Sequence, residues 1–227
     1  MRVLSMGAGV QTTACLIRYS SYYDAVIFAD TGNEYPETYA YIEKYLKPFC
    51  ADHQIKWFTV TNGRSKSLYD DCFKKKQVPY LLSRQCTREF KIIPINRKLR
   101  ELGATKKNPI TVDIGISMDE IQRMNSSKYQ KCYEIKNYPL ITDKITRDQC
   151  KQIILDRGWP LPAKSSCYYC GFQKKSEFRR LKYTHPELYD MAMKLEKNAG
   201  ISLRPSGKDL QNNGTLDGYC DSGNCFV

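Results

Sequence analysis

Apolar residues in the first 120 positions come in short runs separated by amphipathic stretches. Residues 2–5 read as a strand, and 12–23 as a helix with Ala14, Leu16 and Ile17 facing inward. Ala25-Val26-Ile27-Phe28-Ala29 is a continuous apolar run, the pattern of a strand buried on both faces of a parallel sheet. Pro36, with Glu37 in the first turn, opens a helix to about Asp52. Residues 55–60 and 110–116 are further strands. Strand–helix–strand repeats of this length imply right-handed crossovers, and so an α/β, Rossmann-like parallel sheet with helices on both faces. Ligands of such sheets sit beyond the carboxyl ends of the strands, which singles out the turns after Ser5, Ala29 and Gly115.

The pattern changes after about residue 145. Thr146-Arg147-Asp148-Gln149 has capping-box spacing and starts a helix to about Asp156, which Gly158-Trp159-Pro160-Leu161-Pro162 stops. Residues 176–183 and 186–198 read as helices, and the chain from Ile201 has no periodicity. The expected organisation is an α/β domain over 1–145 and a helical, cysteine-bearing region over 146–227, packed on the first as one unit.

Charge separates the chain further. Residues 1–63 carry five Lys/Arg against six Asp/Glu, whereas residues 64–108 carry thirteen against four. The first stretch suits a small-ligand scaffold; the second suits an anionic partner, nucleic acid above all, with tyrosines nearby for stacking. No apolar run reaches membrane length and no signal pattern opens the chain, so the expectation is a cytoplasmic protein without a membrane partner. Its ten cysteines then read as metal ligands, reactive thiols or small core residues, not as a disulfide framework.

Cys86 and the pair in Cys167-Tyr168-Tyr169-Cys170 have the ligand geography of an iron–sulfur cluster, or alternatively of structural zinc. A fourth ligand would come from Cys225 or Cys220, with Cys132 a weaker choice, unless one iron stays open for sulfide. Cys15, Cys50 and Cys150 fall on helices and read as core. Arg84, Arg88, Lys91, Lys174 and Lys175 flank the cysteines and would stabilise thiolates and attract an anion.

In the turn after the first strand, Ser5-Met6-Gly7-Ala8-Gly9-Val10-Gln11-Thr12-Thr13, small residues let backbone N–H groups approach a phosphate at a helix N-terminus. Ser5, Thr12 and Thr13 would add hydroxyl donors. It resembles the PP-loop of ATP pyrophosphatases and phosphoadenosine phosphosulfate (PAPS) reductases, usually Ser-Gly-Gly-x-Asp-Ser, with Gly7 for the leading Ser, Gln11 for the Asp and Thr12 for the final Ser. Asp30-Thr31-Gly32-Asn33-Glu34-Tyr35-Pro36-Glu37-Thr38 resembles that family's D-T-G-x-x-(aromatic)-P-E-T turn beside the adenosine. Gly115, Ile116, Glu120 and Arg123 match its G-I-R-x-x-E-(small)-x-R segment, with Ser117 where a basic residue is common. Tyr138-Pro139-Leu140-Ile141 resembles its P-L strand, and the run from Cys86 to Ile95 its cysteine–basic–proline segment.

The resemblance implies the adenine nucleotide alpha-hydrolase-like fold. It also implies ATP or another adenine nucleotide on Ser5, Gly7, Ala8, Gly9, Gln11, Thr12, Thr13, Asp30, Thr31, Gly32 and Gly115, and Mg2+ as a further cofactor. Several branches hold a four-iron, four-sulfur cluster on such cysteines. One branch, similar to the DNA phosphorothioation sulfur-transfer protein, implies activation of a nucleic-acid or nucleotide substrate by adenylation and then sulfur transfer. Arg123 would contact phosphate, and a sulfur donor would be a partner. The alternative is a sulfonucleotide reductase in which Cys225 attacks sulfur and a thioredoxin-like reductant resolves the product. Adenylylsulfate reductases have two adjacent cysteines at the first position, but residue 87 is Thr. A homo-oligomer is also expected.

Overall fold

A computed structural model describes residues 1–79, 84–127 and 131–203, with the backbone alone over 125–127. Two compact units interleave along the chain. The first comprises Met1–Asp30, Glu34–Asn62 and Phe90–Ser165; the second comprises Thr31–Asn33, Gly63–Glu89 and Ser166–Val227. Residue 146 therefore falls inside the first unit, and the chain passes between units five times.

The first unit is built on a parallel sheet of β1 (Arg2–Met6), β2 (Ala25–Ala29), β3 (Lys56–Val60), β4 (Ile110–Ile114) and β5 (Glu134–Asn137), in the order β3-β2-β1-β4-β5. Its helices are α1 (Val10–Arg18), α2 (Pro36–Tyr41) continued through a π turn into α3 (Lys47–Asp52), α6 (Ile93–Glu101), α7 (Pro139–Thr142) and α8 (Arg147–Asp156). Period-two alternation sorts the strand residues onto two cores. Leu4, Met6, Val26 and Phe28 pack with Ala14, Leu16, Leu46, Phe49 and Ile154 on one face; Val3, Ala25, Ile27, Val60, Ile110 and Val112 pack with Leu99 and Ala104 on the other. β2 is buried along its whole length, as a double-sided apolar run requires. Each buried Val, Leu, Ile, Phe or Met side chain contributes about 1.5–3 kcal/mol.

Cys15, Cys50 and Cys150 are core residues, as their helical positions imply. Burial pushes the Cys150 thiol up to about 11 and that of Cys50 to about 12. The capping box forms as read: Thr146 Oγ1 accepts from Gln149 N at 3.4 Å, and Gln149 Oε1 accepts from Thr146 N at 2.8 Å.

One expectation is corrected. The Tyr138-to-Ile141 segment is not a strand: β5 ends at Asn137, and Pro139 opens α7. Proline lacks the N–H a ladder needs, but its fixed φ suits the first turn of a helix. The expected helix over 12–23 is also two pieces, α1 and a 3-10 turn at Ser20–Tyr22.

A polar cluster sits in the sheet. Asp113, fully buried on β4, accepts from Arg2 Nε at 3.1 Å and Nη2 at 2.8 Å, Tyr23 Oη at 2.9 Å and Asn137 Nδ2 at 2.8 Å. The carboxylate is fully satisfied, which makes its burial tolerable.

The second unit holds α4 (Leu68–Lys74), the single turn α5 (Gln85–Thr87), α9 (Lys175–Thr184) and α10 (Pro186–Ala199). Among the described residues no helix is long and apolar enough to cross a membrane.

Candidate functional site

In the first unit the strand order reverses at β1, which has β2 on one side and β4 on the other. Loops leaving the carboxyl ends of β1 and β4 therefore diverge, and the crevice between them is where ligands of open parallel sheets bind. The β1 loop supplies Gly7, Ala8 and Gly9, and Gly9 is the N-cap of α1 without a capping side chain. The first-turn N–H groups of α1 thus lack a side-chain partner and face the end of the helix that favours an anion.

Gly115 brings the β4 loop onto this turn. A Cβ at Gly115 would lie 2.7 Å from Thr12 Cγ2 and 3.0 Å from Thr12 N, so no larger residue fits. The same approach lets Gln11 Nε2 donate to Ser117 Oγ at 3.5 Å, with both residues buried. Thr12 Oγ1 turns back to donate to Gly9 O at 3.2 Å. Thr13 Oγ1 is buried with no hydrogen-bond partner among the described residues.

Asp30 ends β2. Its N–H donates to Val60 O at 2.8 Å, and its Oδ1 accepts from Tyr39 Oη at 2.7 Å. Burial, then the Asp30 carboxylate, raises the Tyr39 phenol, so it stays a donor. Glu34 is almost fully buried; it accepts from Lys91 Nζ at 3.3 Å and from Ser165 Oγ at 3.2 Å. Ser165 also lies beside the β1 loop, 3.9 Å from where a Cβ on Gly9 would stand. Arg123 is exposed and ion-paired with Glu120, whose other oxygen is 3.8 Å from Arg147 Nη1.

The second unit contains the cysteine arms. Cys167 and Cys170 bracket a turn closed by Cys170 N donating to Cys167 O at 3.0 Å, and Gln173 Nε2 donates to the same carbonyl at 2.6 Å. The intervening Tyr168 and Tyr169 are buried, edge-to-face at 4.9 Å, which leaves the two half-buried cysteines at the surface of an aromatic anchor. Cys86 is half-buried on α5.

The two arms meet in this unit. The Arg84 guanidinium lies over the Phe172 ring at 5.4 Å, joining positions two residues from Cys86 and two from Cys170. Burial raises the Tyr169 phenol well above its usual value, and the thiols of Cys167, Cys72 and Cys86 add to the rise. Cys72 itself is core on α4, its thiol pushed up to about 12 by burial first.

Thr31, Gly32 and Asn33 belong to this unit too. Thr31 Oγ1 is 3.2 Å from Cys167 Sγ; Asn33 O accepts from Tyr168 N at 3.1 Å, and Asn33 Oδ1 accepts from Tyr169 Oη at 3.0 Å.

Among the described residues no three Cys, His, Asp or Glu side chains are gathered closely enough to hold a metal ion. The donor set nonetheless fits a thiophilic metal in kind: three half-buried thiols in one unit, two of them in a single turn. Cys132 is exposed and belongs to the first unit; Cys220 and Cys225 lie outside the described residues.

The basic stretch divides as well. Arg64, Lys66, Lys74, Lys75, Lys76, Arg84 and Arg88 are exposed on the second unit, and Arg97, Arg100, Lys106 and Lys107 on the first. Lys91 is an ion-pair partner of Glu34.

Reading the sequence missed Asn33, Glu34 and Gln173. The first two sit inside the Asp30–Thr38 string, at positions where the motif itself places no requirement.

Residues 2–108 match the model of the phosphoadenosine phosphosulfate reductase domain, a match that includes Cys86 and ends before Cys167. An uncharacterised protein of Methanocaldococcus jannaschii is 23% identical over 187 residues, which cover 77% of this chain and 42% of that protein. The chain thus spans less than half the length of this relative. A phosphate complex of phosphoadenylyl-sulfate reductase from Candida auris superposes with a TM-score of 0.47 and 17% identity, over 71% of this chain and 74% of that one.

Proposed function

Because residues 2–108 belong to the PAPS reductase-like family, a family of enzymes, we propose that this chain binds an adenine nucleotide and activates a nucleic-acid or nucleotide substrate by adenylation for sulfur transfer. The observation that carries the reading is the uncapped first turn of α1, held by Gly115 against the β4 loop at the switch point of the sheet.

ATP phosphates would lie on the N–H groups of Gly7, Ala8, Gly9 and the first turn of α1, with adenosine near Asp30. A substrate oxygen attacks the α-phosphorus and pyrophosphate leaves. A sulfur nucleophile then attacks the activated centre and AMP carries the oxygen away. Activation is required because a bare oxygen is a poor leaving group. Mg2+ would screen the pyrophosphate.

Cys86, Cys167 and Cys170 would hold a four-iron, four-sulfur cluster, whose contribution is sulfide or an open iron for sulfur. The protein's part is to keep these thiols half-buried in one unit, where Arg84 lies over the Phe172 ring. The exposed cations of residues 64–108 would engage the phosphates of a nucleic-acid acceptor.

Gln11 favours a second reading. Turned to Ser117, it leaves no carboxylate between Gly7 and Thr13 for Mg2+, which suits a loop that cradles sulfate without cleaving ATP. That enzyme would be a sulfonucleotide reductase with Cys225 as nucleophile.

One anaerobic experiment separates them. Iron-loaded protein receives labelled ATP with mixed tRNA and DNA in one tube, and labelled PAPS or adenylylsulfate with thioredoxin in another. Nucleic-acid-dependent pyrophosphate release supports sulfur transfer, and sulfite release from the second tube overturns it in favour of the reductase.

A further inference from the structure

We propose that the outer face of α9, in the second unit, is a landing surface for a single-stranded nucleic acid, with its cations on the phosphates and Tyr183 stacked on a base. The inference rests on the nucleic-acid acceptor of the proposed function and gives that acceptor a surface outside residues 64–108.

Helix α9 has two unlike faces. Phe178 and Leu181 are buried on the side that packs against α10. The opposite side carries cations at helical spacing. Lys175, Arg179 and Lys182 follow one another at i, i+4 and i+7, and Ser176, Arg180 and Tyr183 form the adjacent row at the same spacing. With Lys174 at the N-cap, the helix carries five cations against one acid. That acid, Glu177, turns back to accept from Lys174 N at 2.6 Å. The neighbouring α10 is near balance, with Glu187, Asp190 and Glu196 against Lys194 and Lys197.

Such an array works against the helix that bears it. Like charges four residues apart repel, and Lys174 and Lys175 stand at the end whose dipole disfavours cations. A polyanion lying along the face relieves both. At ten residues α9 is about 15 Å long, which gives room for a few successive phosphates.

Two aromatic rings decide the kind of polyanion. Tyr183, in the last turn, is 85% exposed; Phe172, just before the first, is 47% exposed, with the Arg84 guanidinium over its ring at 5.4 Å. An open ring takes up an unpaired base by stacking, whereas a duplex keeps its base faces covered. An acidic polypeptide would satisfy the cations and leave Tyr183 without a flat partner. A single strand uses the cations and the rings together.

The test is fluorescence anisotropy of a labelled oligothymidine of about 12 nucleotides, titrated with iron-loaded, full-length protein over a series of salt concentrations. Arg180→Gln with Lys182→Gln should reduce the slope of log affinity against log salt by about 1.4. Lys194→Gln with Lys197→Gln removes the same charge from α10 and should keep the wild-type slope. Tyr183→Ala should weaken binding about fivefold or more at an unchanged slope, and Tyr183→Phe should stay within about twofold of wild type, because stacking releases no counterion. Melting curves check folding; Arg180→Gln alone, with a slope change of about 0.7, serves if the double variant is unfolded.

Equal slope changes from the α9 and α10 pairs would overturn the inference, since net charge alone would then act. So would wild-type affinity in Tyr183→Ala, or a duplex of the same length bound as tightly as the single strand. A wild-type slope in the α9 variant would remove this surface and leave a nucleic-acid acceptor standing. If the wild-type protein does not bind oligothymidine, the inference fails, and pyrophosphate release judges the proposed function separately.

Discussion

Gln11 Nε2 donates to Ser117 Oγ at 3.5 Å across 106 residues of sequence, and these are the two positions at which the chain departs from the charged residues of the motifs it resembles. An acidic position and a basic position have both become neutral, and the two neutral side chains are partners. A long neutral hydrogen bond contributes little, so Gln11→Ala and Ser117→Ala in a double-mutant cycle should couple by about 0.5 kcal/mol in urea unfolding. A coupling several times larger would show a charged or tightly packed interaction.

Gly115 is the tighter constraint. Gly115→Ala forces a Cβ to within 2.7 Å of Thr12 Cγ2 and 3.0 Å of its backbone nitrogen. The β4 loop or the first turn of α1 must move. Stability should fall by about 1–3 kcal/mol. Affinity for ATP, measured by calorimetric titration, should fall by about tenfold or more, because the N–H groups are displaced together. Unchanged affinity would mean the nucleotide does not use this turn.

Asp113 holds a different kind of order. Asp113→Asn leaves Arg2 without its carboxylate inside the sheet, though Arg2 is itself 30% exposed and regains some water. The expected cost in urea unfolding is about 3 kcal/mol, the lower end for a broken buried pair. Nucleotide affinity of the folded protein should be unaffected, because Asp113 is committed to Arg2, Tyr23 and Asn137.

Alkali should weaken the fold in a defined window. The Cys150 thiol is pushed up to about 11 and that of Cys50 to about 12, both by burial. A raised folded-state pKa means that the unfolded chain loses its protons first. The stability these thiols contribute is full below about pH 9 and is lost as pH rises through 11 to 12. Denaturation midpoints should be flat in this respect near neutrality and fall above pH 9. Cys150→Ala combined with Cys50→Ala should shallow the fall; an unchanged slope would assign the alkaline loss to other groups.

The exposed cations predict a salt response. If Lys106 and Lys107 each neutralise a nucleic-acid phosphate, log affinity for a tRNA or DNA probe should fall linearly with log salt. Lys106→Ala with Lys107→Ala should then reduce that slope by about two. A slope equal to wild type would remove these two lysines from the interface.

What the sequence by itself determined was local. The apolar run of β2, the Pro36 helix start and the Thr146 capping box each depend on neighbours within a few residues, so composition and spacing were sufficient. That the sheet is parallel was legible in the strand–helix–strand repeats, but the order β3-β2-β1-β4-β5 and the strand β5 came only with the structure. Pro139 was misread because a proline after an extended segment suits a strand end and a helix start equally until β5 is seen to finish at Asn137.

Only the tertiary structure decided the partners. Gln11 with Ser117, Glu34 with Lys91 and Ser165, and Thr31 with Cys167 are separated by between 57 and 136 residues, and no local pattern encodes which buried polar atom will meet which. Burial makes each such atom find a partner, and the fold chooses it. Thr31 shows the difference most directly: its place in a motif suggested a nucleotide, and its neighbours in space are a cysteine sulfur and the turn that holds it.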